Sequence, residues 1–294
     1  MTQTLTFETA PDLAPLYVRA VVNGRSGGSV LPDVSARLTG VQVDLDHLVD
    51  YAHLCGFPVG DALPVTYPHV LGFPLQVAIM ARRDFPLPLV GLVHLENTIT
   101  WTRPLRLGDV LGIQVHAENL RGHRRGRLVD LVTEVSSGDE QVWRGVSTYL
   151  ARGAGDPQAV TEDPPDTSAV QGLPSGPTWR LDDAVGRRYA AVSGDVNPIH
   201  LHALAARALG LKGAMAHGMY TYARVLAALG PKVPGAGRST VWFRAPVLLP
   251  STVLLRSSAD GELAVLRPAR GDGVHLVVTV RPLEQAPKQA PTRG

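Results

Sequence analysis

The chain is poor in cysteine, in long apolar runs, in aromatic residues and in any excess of charge. A single cysteine, Cys55, among 294 residues excludes an intrachain disulfide framework and suits a reducing compartment. Twenty-eight Lys and Arg against 26 Asp and Glu leave a net charge of only +2, which gives no electrostatic footprint for nucleic acid. The one basic run, RGHRRGR over residues 121–127, has no interleaved aromatics. It is expected to be a solvated hairpin tip, with a phosphate-contacting loop as the lesser reading. No apolar stretch approaches the ~18 residues that a membrane span needs. The first fifteen residues, MTQTLTFETAPDLAP, lack a basic start and an apolar core, so no secretory signal is expected. These absences predict a cytoplasmic protein with neither a nucleic-acid nor a membrane partner.

Hydrophobic residues make up 45% of the chain and charged ones 18%, which is enough to bury a full core. The length predicts two domains or one fused pair. Residues 152–178, RGAGDPQAVTEDPPDTSAVQGLPSGPT, show no apolar period and read as a linker. The expected division is 1–151, a linker at 152–178, 179–283, and a flexible Pro-rich tail at 284–294.

The two halves resemble each other. Setting Tyr51-Ala52 on Tyr189-Ala190 also aligns Cys55 with Ser193, Gly56 with Gly194 and Phe57 with Asp195, an offset of 138 residues (195 − 57). Gly72 is then expected to open one apolar helix, with Pro74 in its first turn, as Gly218 opens another. Met219, Tyr222, Ala223, Leu226 and Leu229 form one helical stripe, and Phe73, Val77, Met80 and Ala81 its counterpart. Strand-like runs follow at 93–101, 110–118, 127–135 and 142–151, and again at 240–244, 252–257, 263–267 and 274–281. One long helix wrapped by an antiparallel sheet, twice over, is an α+β arrangement.

The densest chemistry lies in residues 189–219, YAAVSGDVNPIHLHALAARALGLKGAMAHGM. A helix capped by Asp182 is expected to end at Ser193-Gly194, leaving Asp195 at its negative end, where a carboxyl pKa would rise. Asn197-Pro198 fixes a turn, and His200 is expected to enter a short helix over 201–209. Asp195 and His200 can share proton transfer, while the N–H of Gly218 at a helix N-terminus can hold a developing negative charge. Ser193, Asn197 and His217 are supporting candidates. His202 and His217 are the rival histidines. A metal site has no Cys cluster or HExxH spacing behind it, and no G-x-S-x-G elbow supports a serine hydrolase.

The ordered string Y-A-x-x-S-G-D-x-N-P-I-H, then A-x-x-x-G (Ala206, Gly210), then A-H-G-M resembles the signature of the MaoC-like (R)-specific enoyl-CoA hydratases and acyl dehydratases. The resemblance is tight over some 40 residues and implies a tandem hot-dog fold with a degenerate first site and an active second one. It further implies Asp195 and His200 as the catalytic pair, Gly218 as oxyanion donor, and reversible syn addition of water to trans-2-enoyl thioesters. Hydrolysis of an acyl-CoA and acyl-thioester binding without catalysis stand as alternatives. No metal or redox cofactor is implied; the partner is an acyl-CoA or acyl-carrier thioester, for a monomer or homodimer. Tyr189, Met219 and Phe57, the last in an acyl tunnel, are candidates to line the substrate site, and Lys212 and Arg238 to meet coenzyme A phosphates.

Overall fold

Period-2 burial makes the strands and all-round burial makes the central helices. In the computed structural model, which describes residues 2–23, 28–160, 164–167, 172–208 and 210–283, the order is β1 (Gln3–Phe7), α1 (Leu13–Asn23), β2 (Val34–Val41), α2 (Leu45–Cys55), α3 (Tyr67–Met80), β3 (Val93–Trp101), β4 (Leu111–His123), β5 (Gly126–Ser137) and β6 (Glu140–Arg152). The second half continues with β7 (Ser175–Leu181), α4 (Val185–Ser193), α5 (Pro198–Leu201), α6 (Ala203–Ala208), α7 (Gly218–Leu229), β8 (Gly237–Phe243), β9 (Ser251–Ser257), β10 (Leu263–Pro268) and β11 (Leu276–Pro282).

All described strands join one sheet in the order β1-β2-β4-β5-β6-β3-β8-β11-β10-β9-β7. Leaving β1 aside, the five strands of the first half and the five of the second run in the same relative order from opposite edges. The halves meet where β3 pairs antiparallel with β8, from Glu96 opposite Trp242 to Trp101 opposite Gly237. Thr98 and Thr240 add a buried hydroxyl–hydroxyl bond of 2.9 Å across that seam. β1 extends the far edge by pairing parallel with β2. Each half wraps one long helix, as expected of a tandem hot-dog. Twelve of the fourteen residues of α3 are buried, which marks it as central to the core. In α7 the stripe Met219, Tyr222, Ala223, Leu226 and Leu229 is buried.

Four local expectations are corrected. α3 begins at Tyr67 rather than Gly72, because Pro68 in its first turn and burial on every side extend it toward the N-terminus. Pro74 therefore lies inside the helix, where it cannot donate to the carbonyl of Val70. Asp182 is not the helix cap: α4 has Ala184 at that position without a side-chain bond, and Asp182 instead accepts from the Ala184 N–H at 2.9 Å. The helix expected over 201–209 is divided between α5 and α6 at His202, whose backbone is extended; residue 209 lies outside the described residues. The linker region holds β7 from Ser175 onward, and its residues 161–163 and 168–171, like the tail at 284–294, fall outside the described residues. The basic run is the β4–β5 hairpin, with His123 opposite Gly126. Among the described residues no helix is long and apolar enough to cross a membrane.

Candidate active site

Asp195 owes its position to the residue before it. Gly194 ends α4 in the left-handed region at φ 71°, a conformation that glycine adopts without steric cost. The chain then turns back on itself through short side-chain bonds. The Asp195 N–H donates to Ser193 Oγ at 3.2 Å, the Asn197 N–H donates to Asp195 Oδ1 at 3.2 Å, and Asn197 Oδ1 accepts from the Ile199 N–H at 3.4 Å, capping α5. Ser193 and Asn197 thus brace the loop, and the Asp195 side chain keeps 25% of its surface open. α5 can lie against α4 only because Gly186 has no side chain; a methyl group there would run into the main-chain carbonyl of His200.

His200 points its Nδ1 at the carbonyl of Met215, 2.9 Å away. In the neutral ring that nitrogen carries the proton, so Nε2 is the basic atom. His217 stacks on it with ring centroids 3.8 Å apart. The His217 Nε2 donates to the main-chain oxygen of Asp195 at 3.0 Å and stands 3.8 Å from its carboxylate. Burial lowers the pKa of both histidines. His217 falls to about 3, with His200 adding to the effect, and His200 falls against the opposing pull of Asp195 and of the Met215 carbonyl. Both rings are therefore neutral at pH 7. The Asp195 carboxyl is held below its ordinary value, not above it as its place after a helix suggests. Burial alone raises it, but the neighbouring His217 and His200, the Asn197 N–H and the Tyr17 hydroxyl together outweigh that cost. Asp195, His200 and His217 bring donor atoms within 4.8 Å of one another, a set that also has the composition of a metal cluster. Two of the four ring nitrogens are, however, committed to carbonyl oxygens.

Gly218 is the first residue of α7, so its N–H has no partner within the helix and faces outward from the positive end of the dipole. A Cβ at this position would stand 2.9 Å from the Phe243 ring, so the close approach of that ring requires glycine. These groups share one cavity of about 270 Å³ running between the halves, lined by Asp195, His200, His217, Gly218, Tyr189 and Met219 among others. Phe57 is not among its lining residues; after the left-handed Gly56 (φ 81°) it stacks on Tyr51 at 6.4 Å. Lys212 and Arg238 are not there either, whereas Arg125, Arg152 and Arg244 are, and all three are exposed.

The sequence reading missed the contribution of the first half. Tyr17 of α1 donates to Asp195 Oδ1 at 3.2 Å, across 178 residues of chain. His69, His94 and Tyr149 also line the cavity. A tyrosine in a short N-terminal helix carries no local signal of such a contact.

Residues 162–271 match the family model described as MaoC like domain. The chain is 40% identical over 260 residues to 3-hydroxyacyl-thioester dehydratase X of Mycobacterium tuberculosis, a match covering 86% of this chain and 91% of that protein. It is 39% identical over 94 residues to 3-hydroxybutyryl-CoA dehydratase of Methylorubrum extorquens, covering 30% of this chain and 55% of that one. The crystal structure of HtdX from Mycobacterium tuberculosis superposes with a TM-score of 0.75 at 39% identity, covering 85% of this chain and 100% of that one. The relation spans both halves rather than the signature alone, and the chain belongs to the MaoC-like dehydratases, hydro-lyases of the hot-dog fold.

Proposed function

We propose that the protein catalyses the reversible dehydration of (R)-3-hydroxyacyl thioesters to trans-2-enoyl thioesters. The observation that carries this reading is the meeting of the Asp195 carboxylate, the bare Nε2 of His200 and the Gly218 N–H in one cavity. In the hydration direction, Asp195 and His200 hold one water. They take one of its protons as its oxygen bonds to C3, and the C2–C3 π electrons move toward the thioester. The resulting enolate oxygen lies against the Gly218 N–H and the N-terminal end of α7, a donor worth about 3 kcal/mol to the transition state. The proton held by the pair then passes to C2 on the same face, so that one water is added in full. Proton transfer of this kind contributes roughly 10²–10⁴-fold.

No cofactor takes part in this sequence of steps. The thioester carrier, coenzyme A or an acyl carrier, stays bonded to the acyl group throughout and reaches the surface beside the exposed Arg125, Arg152 and Arg244, which suit its phosphates. The test is the loss of the enoyl-thioester absorbance band on hydration of crotonyl-CoA, with free thiol followed in parallel. Hydration without thiol release supports the reading. Thiol release without hydration would make the protein a thioesterase, and tight binding without either would make it a carrier of acyl thioesters.

A further inference from the structure

The cavity does not end at the catalytic pair. Its lining extends from Gly218 and Phe243 to Val70, Phe73, Met80, Leu89 and Leu92 of the first half. All five of these first-half residues are buried, whereas the lining arginines are exposed; Arg152 lies two residues beyond Leu150, the partner of Val93. That contrast in burial assigns the carrier to the exposed mouth and the acyl chain to the arm formed by the buried side chains of the first half.

That arm is not uniformly apolar. Between Phe243 and Phe73 stand two imidazoles, with the His94 ring 5.1 Å from Phe243, the His69 ring 6.1 Å from His94, and the Phe73 ring 6.1 Å from His69. His69 is 5% exposed, yet its Nδ1 has no hydrogen-bond partner among the described residues, and the same holds for the buried Nε2 of His94. Nδ1 of His94 bonds the main chain of Glu96, in the sense that favours a protonated ring, which makes Nδ1 the donor and Nε2 a bare acceptor. The His94 ring is held in place by Tyr149, stacked at 4.5 Å, whose own hydroxyl is committed to Gln76 Oε1 at 3.2 Å. Burial keeps both imidazoles neutral, with pKa values lowered to about 4 for His69 and about 3 for His94. A buried, neutral, unpaired nitrogen is costly in an apolar wall and calls for a polar partner.

We propose that the first-half arm selects acyl chains that carry a hydroxyl group a few carbons beyond the reacting bond, held by His94 Nε2 with His69 beside it. A hydroxyl fits because it donates to the bare nitrogen of His94 and offers lone pairs to a ring N–H of His69. The apolar end beyond Phe73 then takes the rest of the chain. This assignment rests on the dehydratase reading of the same cavity.

The test compares trans-2-octenoyl-CoA with its 4-, 5- and 6-hydroxy counterparts as the ratio of kcat/KM within one protein sample, so that partial misfolding of a variant cancels. The wild type is expected to favour one hydroxylated isomer by roughly tenfold or more, because the unsubstituted chain leaves the nitrogens unpaired. His94→Phe, which keeps an aromatic ring between Tyr149 and Phe243, is expected to bring that ratio to one or below, and His69→Phe to lower it. A wild type that favours the unsubstituted chain over every isomer overturns the proposal, as does a His94→Phe variant that keeps the wild-type ratio. Turnover of the unsubstituted chain reports separately on the dehydratase reading. If no thioester is turned over, calorimetric binding of the same pairs decides: tighter binding of a hydroxylated isomer supports the proposal, and equal or weaker binding overturns it.

Discussion

The helix before the candidate catalytic loop occurs twice, as α2 and as α4. Both end on a glycine in the left-handed region, Gly56 at 81° and Gly194 at 71°, and both place a buried tyrosine, Tyr51 or Tyr189, against the core. They part at two positions. After the glycine comes Phe57 in one and Asp195 in the other. Eight residues before it stands Leu48, buried at 2% exposure, where α4 has Gly186 (186 − 138 = 48). Leucine fills the space that in the second half receives the main chain of α5, and α5 and α6 have no counterpart between α2 and α3. The long helices differ in a third way. Because α3 starts at Tyr67, the N–H of Gly72 lies inside a helix, where it is bonded, whereas that of Gly218 opens α7. One frame thus carries the candidate proton-transfer residues in one copy and apolar side chains at the matching positions of the other, and the difference comes down to a few side chains and one helix start.

The largest expected effects break the comparison on the active side. Asp195→Asn and His200→Ala are each expected to lower crotonyl-CoA hydration by about 10²-fold or more with the circular dichroism spectrum unchanged; near-normal turnover in both would refute their roles. Gly186→Ala follows. Its methyl group meets the main-chain carbonyl of His200, the proposed base, so kcat is expected to fall steeply while KM changes less. The matching change in the first half, Leu48→Ala, opens a cavity instead. It is expected to cost about 2–5 kcal/mol of stability in denaturant titration and to leave the pH profile of turnover where it was.

These pairs also mark how far the sequence alone could be read. The strands of 93–101, 142–151 and 263–267 were legible within a residue or two because alternation was strong. β2 and β7 were not, since SGPTWRL reads as linker and becomes a strand only through pairing with β9. Asp195, His200 and Gly218 were legible as candidates in an ordered string, and the fold brings them to one cavity. The pKa of Asp195 was misjudged, because helix-end reasoning sees one local dipole while the fold adds His217, His200 and a tyrosine from the far end of the chain. Gly186 gave no sign of its role, which exists only when α5 is laid against it.

Tyr17 sharpens the comparison, for among the described residues it makes the one hydrogen bond by which the first half touches Asp195. Tyr17→Phe removes a bond to a charged group, worth about 1.5–3 kcal/mol, and is expected to lower kcat/KM by roughly tenfold or more. The bond is one of the causes that hold the Asp195 carboxyl down. Its loss lets the pKa rise, so the acidic limb of the kcat/KM profile is expected to move to higher pH; a limb that stays in place would make Tyr17 a packing residue only.

The smallest effect tests which first-half aromatic faces the substrate. Phe57 occupies the place of the acid in the repeat and was expected to line an acyl tunnel, yet it packs on Tyr51 while Phe73 lines the cavity. Phe57→Ala is therefore expected to cost stability and leave the ratio of kcat/KM for short and long enoyl-CoA substrates unchanged. Phe73→Ala lengthens the buried arm and is expected to move that ratio toward longer chains by about a few-fold, since each methylene gains roughly 0.8 kcal/mol where it is buried. A shift from Phe57→Ala and none from Phe73→Ala would mean that the acyl chain follows the vestigial loop rather than the face of α3.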